Sequence, residues 1–337
     1  MKHVVVTNDL READIRPPEI LSEFMRLSIA EAARFFDDPA DLIQSDCPAC
    51  ASEAHEPVFT KHGFEYEQCL RCQSVFVARR PAPERLEDYY RNSRAVRYRA
   101  ETFTQATGPA RRLHIQRAHA NWLGRLYDEC GGAGPGAYAD VGTHYPMLFE
   151  EVRGLGLFAA CHTINPLPGL EDACRQAGAA TGALPAPLAA ISSFEQLEHQ
   201  FSPLEYLMDL NRLLAPGGMI FLTTRTISGF DLQVLWDQAP YIYVPEHLNL
   251  LSVEGLELLF GLAGLEVVEL STPGQLDLEL IREAAARDPR VRLPAFVRYL
   301  LERREPRTHE DFQHFLQRNR LSSHVRIAAV KSPAGEA

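Results

Sequence analysis

The chain has 337 residues, a formal charge of −11, 46% apolar residues and 23% charged ones. This is material enough for a buried core with no sign of bulk disorder, at a length that fits two domains or one with substantial additions. The acidic balance argues against a nucleic-acid partner, because that role needs clustered Lys and Arg to displace counterions from phosphates.

The opening MKHVVVTNDL holds three consecutive apolar residues after its lysine, too few for a secretory leader. No apolar stretch of about 18 residues follows, so no membrane partner is expected and the expected address is cytoplasmic. In that compartment cysteines read as thiols or metal ligands, not as a disulfide framework. Residues 1–45 include EILSEFMRLSIAEAARFF, with apolar residues at helical spacing, and predict a helical arm. Residues 46–80 are short and turn-rich and hold four of the seven cysteines. RRPAPERLEDYYRNS then begins a helical linker over 81–134 that ends in the glycine-rich hinge GGAGPGAY.

Across 135–272, short apolar strands alternate with amphipathic helices. Strands are predicted at 137–141, 157–164, 188–193, 219–224 and 265–270, and helices at about 147–154, 168–177, 203–214 and 252–262. This alternation predicts an α/β fold, a doubly wound parallel sheet covered on both faces. Helix 203–214 has the clearest punctuation: Ser202 as N-cap, Pro203 at the first helical position, Glu205 at the capping-box position, and Gly217-Gly218 beyond its end. Residues 273–337 comprise a charged helical insertion, to about 320, and a last strand at 325–330.

CPAC at 47–50 and CLRC at 69–72 form two C-x2-C pairs separated by 18 residues. Each pair can aim two sulfurs at one point, and together Cys47, Cys50, Cys69 and Cys72 supply the four thiolates of a tetrahedral, structural zinc ribbon. A redox role for CPAC is the rival reading; it would need a strand-to-helix setting and would leave the second pair unexplained. The remaining three cysteines, Cys130, Cys161 and Cys174, read as small core residues.

Four further segments share one resemblance: YADVG (138–142), SSFEQLEH (192–199), LLAPGGMIFLTT (213–224) and PEHLNLLSVEGLELLFGLAGLEVVEL (245–270). They are similar to successive motifs of class I S-adenosylmethionine-dependent methyltransferases. With the cysteine module in front, the chain resembles the methyltransferases related to deoxysugar C-methyltransferases over about residues 45–330. The resemblance implies a Rossmann-like sheet and S-adenosylmethionine as cofactor, with Asp140 and Gly142 in the first turn and Asn165 at the ribose position. At that turn His144 and Pro146 stand where further glycines are usual, and no charged residue occurs from Ala179 to Phe194, where an adenine acceptor would lie. The residues alone leave two readings of the turn open: an adapted cofactor loop, or a proline that starts the next helix.

On the substrate side the resemblance implies His199 and His247 as candidate bases, with Tyr243 and Glu246 as positioning groups, the choice between Tyr241 and Tyr243 being left open by loose spacing; Tyr89 and Tyr90 are weaker candidates. Proton removal before C-methylation needs a base that titrates near the working pH, which suits histidine. The alternative for Glu198 and His199 is capping of the next turn. The expected function is methyl transfer to a small, sugar-like or nucleotide-linked metabolite. The alternative is a methyltransferase-like binding or partner subunit that has lost the cofactor, or an enzyme of a different reaction. Assembly as a homo-oligomer or with a partner subunit is left open.

Overall fold

The computed structural model describes residues 10–185 and 187–332. The first nine residues of the expected arm and the last five of the expected C-terminal segment lie outside the described residues. Helices Glu12–Ile15 and Pro18–Phe35 form the arm, the second carrying proline at its first position, where a missing N–H costs nothing. Short strands β1 (Leu42–Gln44), β2 (His55–Lys61), β3 (Phe64–Cys69), β4 (Val75–Val77) and β5 (Arg79–Pro81) follow. Helix Pro83–Asn92 leads into a helical run from Arg94 to Glu129, widened by π-turns at Arg99–Phe103 and Arg112–Gln116.

The central sheet is built from β6 (Ala137–Val141), β7 (Ala160–Ile164), β8 (Ala179–Thr181), β9 (Leu188–Phe194) and β10 (Leu214–Arg225). After the two-residue β11 (Asn249–Leu250), it is completed by β12 (Leu265–Ser271) and β13 (His324–Lys331). Its order is β12-β13-β10-β9-β6-β7-β8. On β10, Ile220 and Leu222 face one core while Met219 and Phe221 face another, so the strand is buried on both sides and reads as a continuous apolar run. Helix Pro203–Leu213 starts where its punctuation predicts, with Ser202 Oγ accepting from the Glu205 N–H.

Two expectations are corrected. The sheet is mixed, since β13 runs antiparallel to both β10 and β12. The reason lies in the insertion: helices Asp277–Arg287, Ala295–Arg303 and Pro306–Arg318 leave from the end of β12, and β13 re-enters from that same edge. The three-residue β8 also escapes the sequence reading, lying between Gly178 and Gly182 with too few residues to show a period.

The cysteine module is fused to this sheet. β11 pairs with β4, so the order β11-β4-β3-β2 joins the module to a strand from beyond the sheet's centre. Arg80, fully buried, donates to the carbonyls of Val77 and Phe201 and to Asn249 Oδ1. Cys161 and Cys174 are buried as expected, whereas Cys130 is exposed because it caps the end of helix Arg117–Glu129. Among the described residues no helix is long and apolar enough to cross a membrane.

Candidate active site and metal centre

The strand order reverses at β6, whose neighbours are β7 on one side and β9 on the other. The carboxyl edge at such a reversal opens a crevice, because successive connections leave in opposite directions. A cavity of about 240 Å³ occupies this place, floored by the ends of β6, β9, β10 and β13 and covered by the arm, both π-turns and the insertion. Asp140, Gly142, His199, Tyr243, Glu246 and His247 all line it. Asn165 is exposed at the end of β7 and is not among the lining residues.

Asp140 is buried and already engaged: Thr143 Oγ1 donates to it at 2.6 Å, and Ser192, opposite it on β9, also donates. Burial pushes its carboxyl up to about 6 against the pull of these two hydrogen bonds. The carboxylate therefore ties the first turn to the sheet. Gly142 has φ +69, and a Cβ there would stand 2.2 Å from Gln196 Oε1. The Gln196 amide in turn donates to the Gly142 carbonyl at 3.2 Å. Gly142→Ala should therefore cost about 1–2 kcal/mol for the left-handed backbone alone, plus displacement of Gln196. Thermal unfolding measures this; an unchanged midpoint would contradict the described turn.

Opposite the turn, His199 closes the short helix Leu197–His199 after β9. Its ring meets Tyr90 edge-on at 6.0 Å, and Tyr90 donates to the Pro245 carbonyl at 3.4 Å. Glu246 is held by Arg99 at 2.8 Å, from the first π-turn, and the same guanidinium reaches His144 Nδ1 at 3.4 Å. The Tyr243 and His247 rings are perpendicular at 6.1 Å. The loop carrying them leans on the cysteine module, since Tyr66 of β3 donates to the His247 carbonyl at 2.9 Å and Val77 to that of Leu248. Tyr241 also lines the cavity, and its hydroxyl donates to Glu12 of the arm.

Burial governs the protonation of the cavity. It holds His247, His144 and His119 well below the ordinary histidine value and His199 below it. These imidazoles are neutral at pH 7 and able to accept a proton. Glu198 is pushed up to about 8, by burial first and then by Glu195, so it carries a proton at neutral pH while Thr224 donates to it at 2.7 Å. Burial also drives the Tyr243 phenol well above its usual range, with Glu246 adding to the effect, so it stays a hydrogen-bond donor.

Several lining groups carry no motif in the sequence. Arg99 and His114 come from the two π-turns, a widening often found where helices meet function. Arg16, Arg111, His119, Glu195, Arg225 and His324 also line the cavity. His324 of β13 lies 3.6 Å from Glu195, the residue just past β9. Arg16, Arg99 and Arg111 stand in segments already rich in charge, so nothing in the sequence singles them out.

At the module, the four ligand atoms of Cys47, Cys50, Cys69 and Cys72 lie within 4.8 Å of one another and all four residues are buried. Cys47 and Cys72 sulfurs are 3.5 Å apart, and those of Cys50 and Cys69 3.6 Å. A tetrahedron of sulfurs around zinc has edges of about 3.8 Å, given bonds of about 2.3 Å, so the cluster fits the ion.

Residues 112–270 match a family model described as a methyltransferase domain. No curated protein matches the chain. Similar solved structures include the plantazolicin methyltransferase BpumL in complex with SAH, at 12% identity over 73% of this chain and 94% of that one, TM-score 0.44. A chain from the Haloferax volcanii complex between the Trm112 methyltransferase activator and a methyltransferase is 14% identical over 71% and 99%, TM-score 0.44. An S-adenosylmethionine-dependent methyltransferase from Clostridium acetobutylicum is 6% identical over 68% and 98%, TM-score 0.42.

Proposed function

We propose that this protein is an enzyme that transfers a methyl group from S-adenosylmethionine to a small, sugar-like or nucleotide-linked metabolite. One observation carries the reading: the first turn after β6 and the His199, Tyr243, Glu246 and His247 group, distant in sequence, line the same cavity at the switch point of the sheet. The methyltransferase-domain match over residues 112–270 supports the reaction class.

Asp140 and Gly142 shape the turn that would take the methionyl end of the cofactor, with His144 and Tyr145 beside it in the cavity wall. The ribose position, Asn165, remains outside that wall, so the adenosine end would be held at the exposed rim. When bound, the cofactor supplies an electrophilic methyl group. The chain's own part is proton handling and alignment. His247 and His199, neutral at pH 7, accept the substrate proton. Tyr243 donates a hydrogen bond, and the Arg99–Glu246 pair fixes the loop that carries Tyr243 and His247. Alignment of the two reactants supplies much of the barrier reduction in methyl transfer. The Cys47, Cys50, Cys69 and Cys72 cluster holds a structural zinc, all four positions being filled by protein.

Calorimetric titration with S-adenosylhomocysteine tests the reading. Micromolar binding is expected, and no heat at millimolar ligand would overturn it.

A further inference from the structure

Five arginines line the cavity of this acidic chain: Arg16, Arg99, Arg111, Arg225 and Arg326. Two are in ion pairs, and two more face a carboxylate without one. Arg99 is paired with Glu246 at 2.8 Å and Arg225 with Asp231 at 3.2 Å, and Arg326, stacked on Trp122, faces the charge of Glu269. Arg16 faces the charges of Glu12 and Glu195 without a salt bridge, and among the described residues no salt bridge reaches Arg111.

Both are nonetheless held in place. Arg16, just past helix Glu12–Ile15, lies over the Tyr241 ring at 5.4 Å. Arg111 ends helix Thr104–Arg111, lies over the Tyr145 ring at 4.8 Å, and donates to the carbonyl of Ile15, the neighbour of Arg16, at 3.3 Å. Its Nε is buried without a hydrogen-bond partner. Aromatic faces thus orient two planar donor forks on one cavity wall, and leave in-plane N–H groups, Arg111 Nε among them, for a ligand.

We infer that Arg16 and Arg111 form a clamp for an oxyanion on the substrate, a carboxylate or a phosphate. Two partly buried guanidinium groups close together in one wall repel each other, and neither is neutralised by an ion pair. Burial lowers the Arg16 pKa, and the charges of Arg225 and Arg111 lower it further; the attraction of Glu12 is a smaller effect. Glu12 is itself engaged by the Tyr241 hydroxyl. A bidentate carboxylate or phosphate satisfies both forks and removes the repulsion. Because the chain as a whole carries −11, capture of such a substrate depends on this local pair and not on long-range attraction. The clamp also ties the arm to the cavity through the Ile15 carbonyl, so anion binding should tighten the arm over the site.

The inference rests on reading this cavity as a substrate site, but its test needs no turnover. Thermal unfolding of the full chain is followed with inorganic phosphate, with malonate, and with sodium chloride at equal ionic strength. A saturable rise in midpoint is expected with at least one oxyanion and not with chloride; phosphate alone would indicate a phosphoester substrate, malonate alone a carboxylate. Arg16→Gln and Arg111→Gln should each weaken the effect about tenfold or more. Each variant also loses a stacking contact, and Arg111→Gln its hydrogen bond to Ile15, so the effect is read as the anion-induced rise above that variant's own anion-free midpoint. An arginine with only a structural role would lower that anion-free midpoint and leave the anion-induced rise unchanged.

No saturable rise, or an undiminished rise in both variants, overturns the clamp. So does competition between the anion and S-adenosylhomocysteine, which would place the cofactor's own carboxylate there. Absence of S-adenosylhomocysteine binding would overturn the methyl-transfer reading and leave this measurement standing.

Discussion

Cys69→Ala should release the metal and unfold much more than the loop that carries it. Metal analysis of the unaltered protein is expected to find one zinc per chain, and of the variant almost none. Structural zinc contributes about 10–16 kcal/mol of apparent folding free energy in small finger domains, comparable to or larger than the roughly 5–15 kcal/mol that holds a whole domain together. In this chain the damage should spread, because the cysteines belong to the same core as Leu251, Leu256, Phe260 and Ile327 under the central sheet. Ser252, the N-cap of helix Val253–Leu262, donates its hydroxyl to the Cys72 carbonyl, and its N–H donates to Ser74. The Tyr66 hydroxyl that supports His247 comes from the same module. Chelation should therefore lower the unfolding midpoint, expose Tyr66 and abolish turnover together. A metal-free preparation that unfolds at the same midpoint would refute the zinc assignment.

How far the sequence revealed this architecture depended on whether a signal was local. Ser202-Pro203 with Glu205 marks the start of a helix by hydrogen bonds and backbone angles confined to four residues, and the structure starts that helix at Pro203. The two C-x2-C pairs likewise carry their geometry within each pair, and the fold brings their sulfurs together. The direction of β13 is not local: it depends on which edge of the sheet the insertion leaves it at, and the apolar pattern of a strand is the same in either direction. The cavity shows the same division. His199, Tyr243, Glu246 and His247 fall in two short segments and share its wall. Arg99 is separated from Glu246 by 147 positions, and Arg111 from Ile15 by 96. No spacing rule within a single chain connects such partners. The resemblance assigns the ribose position to Asn165, just past β7, which ends at Ile164; the residue sits in a turn at φ +46 and is exposed, which a motif match does not include.

His247→Ala should reduce kcat by about 10²–10⁴-fold, the usual contribution of a positioned general base, while leaving affinity for S-adenosylhomocysteine nearly intact. The second half of this expectation follows from position: His247 stands in the 239–248 loop with Tyr243, whereas the turn assigned to the cofactor follows β6. The pH profile adds a sharper test. Burial, reinforced by Arg225, His199, Arg16 and Arg99, holds the His247 imidazole well below 6.5. A lowered histidine pKa means the proton is gained only at more acidic pH, so the neutral base persists on the acid side of neutrality. The acid limb of kcat/KM should then lie below the ordinary histidine value, with activity little changed between about pH 7 and about pH 6. Glu246→Gln provides a complementary case: it discharges one member of the Arg99 pair, leaves that guanidinium facing the cavity without its carboxylate, and should raise KM as the loop loses its anchor. Zinc content and far-UV circular dichroism equal to those of the unaltered protein would establish that each variant is folded. With folding so controlled, normal turnover in His247→Ala would remove it from the reaction, and an acid limb at or above 6.5 would assign proton removal to a more exposed group than this buried imidazole.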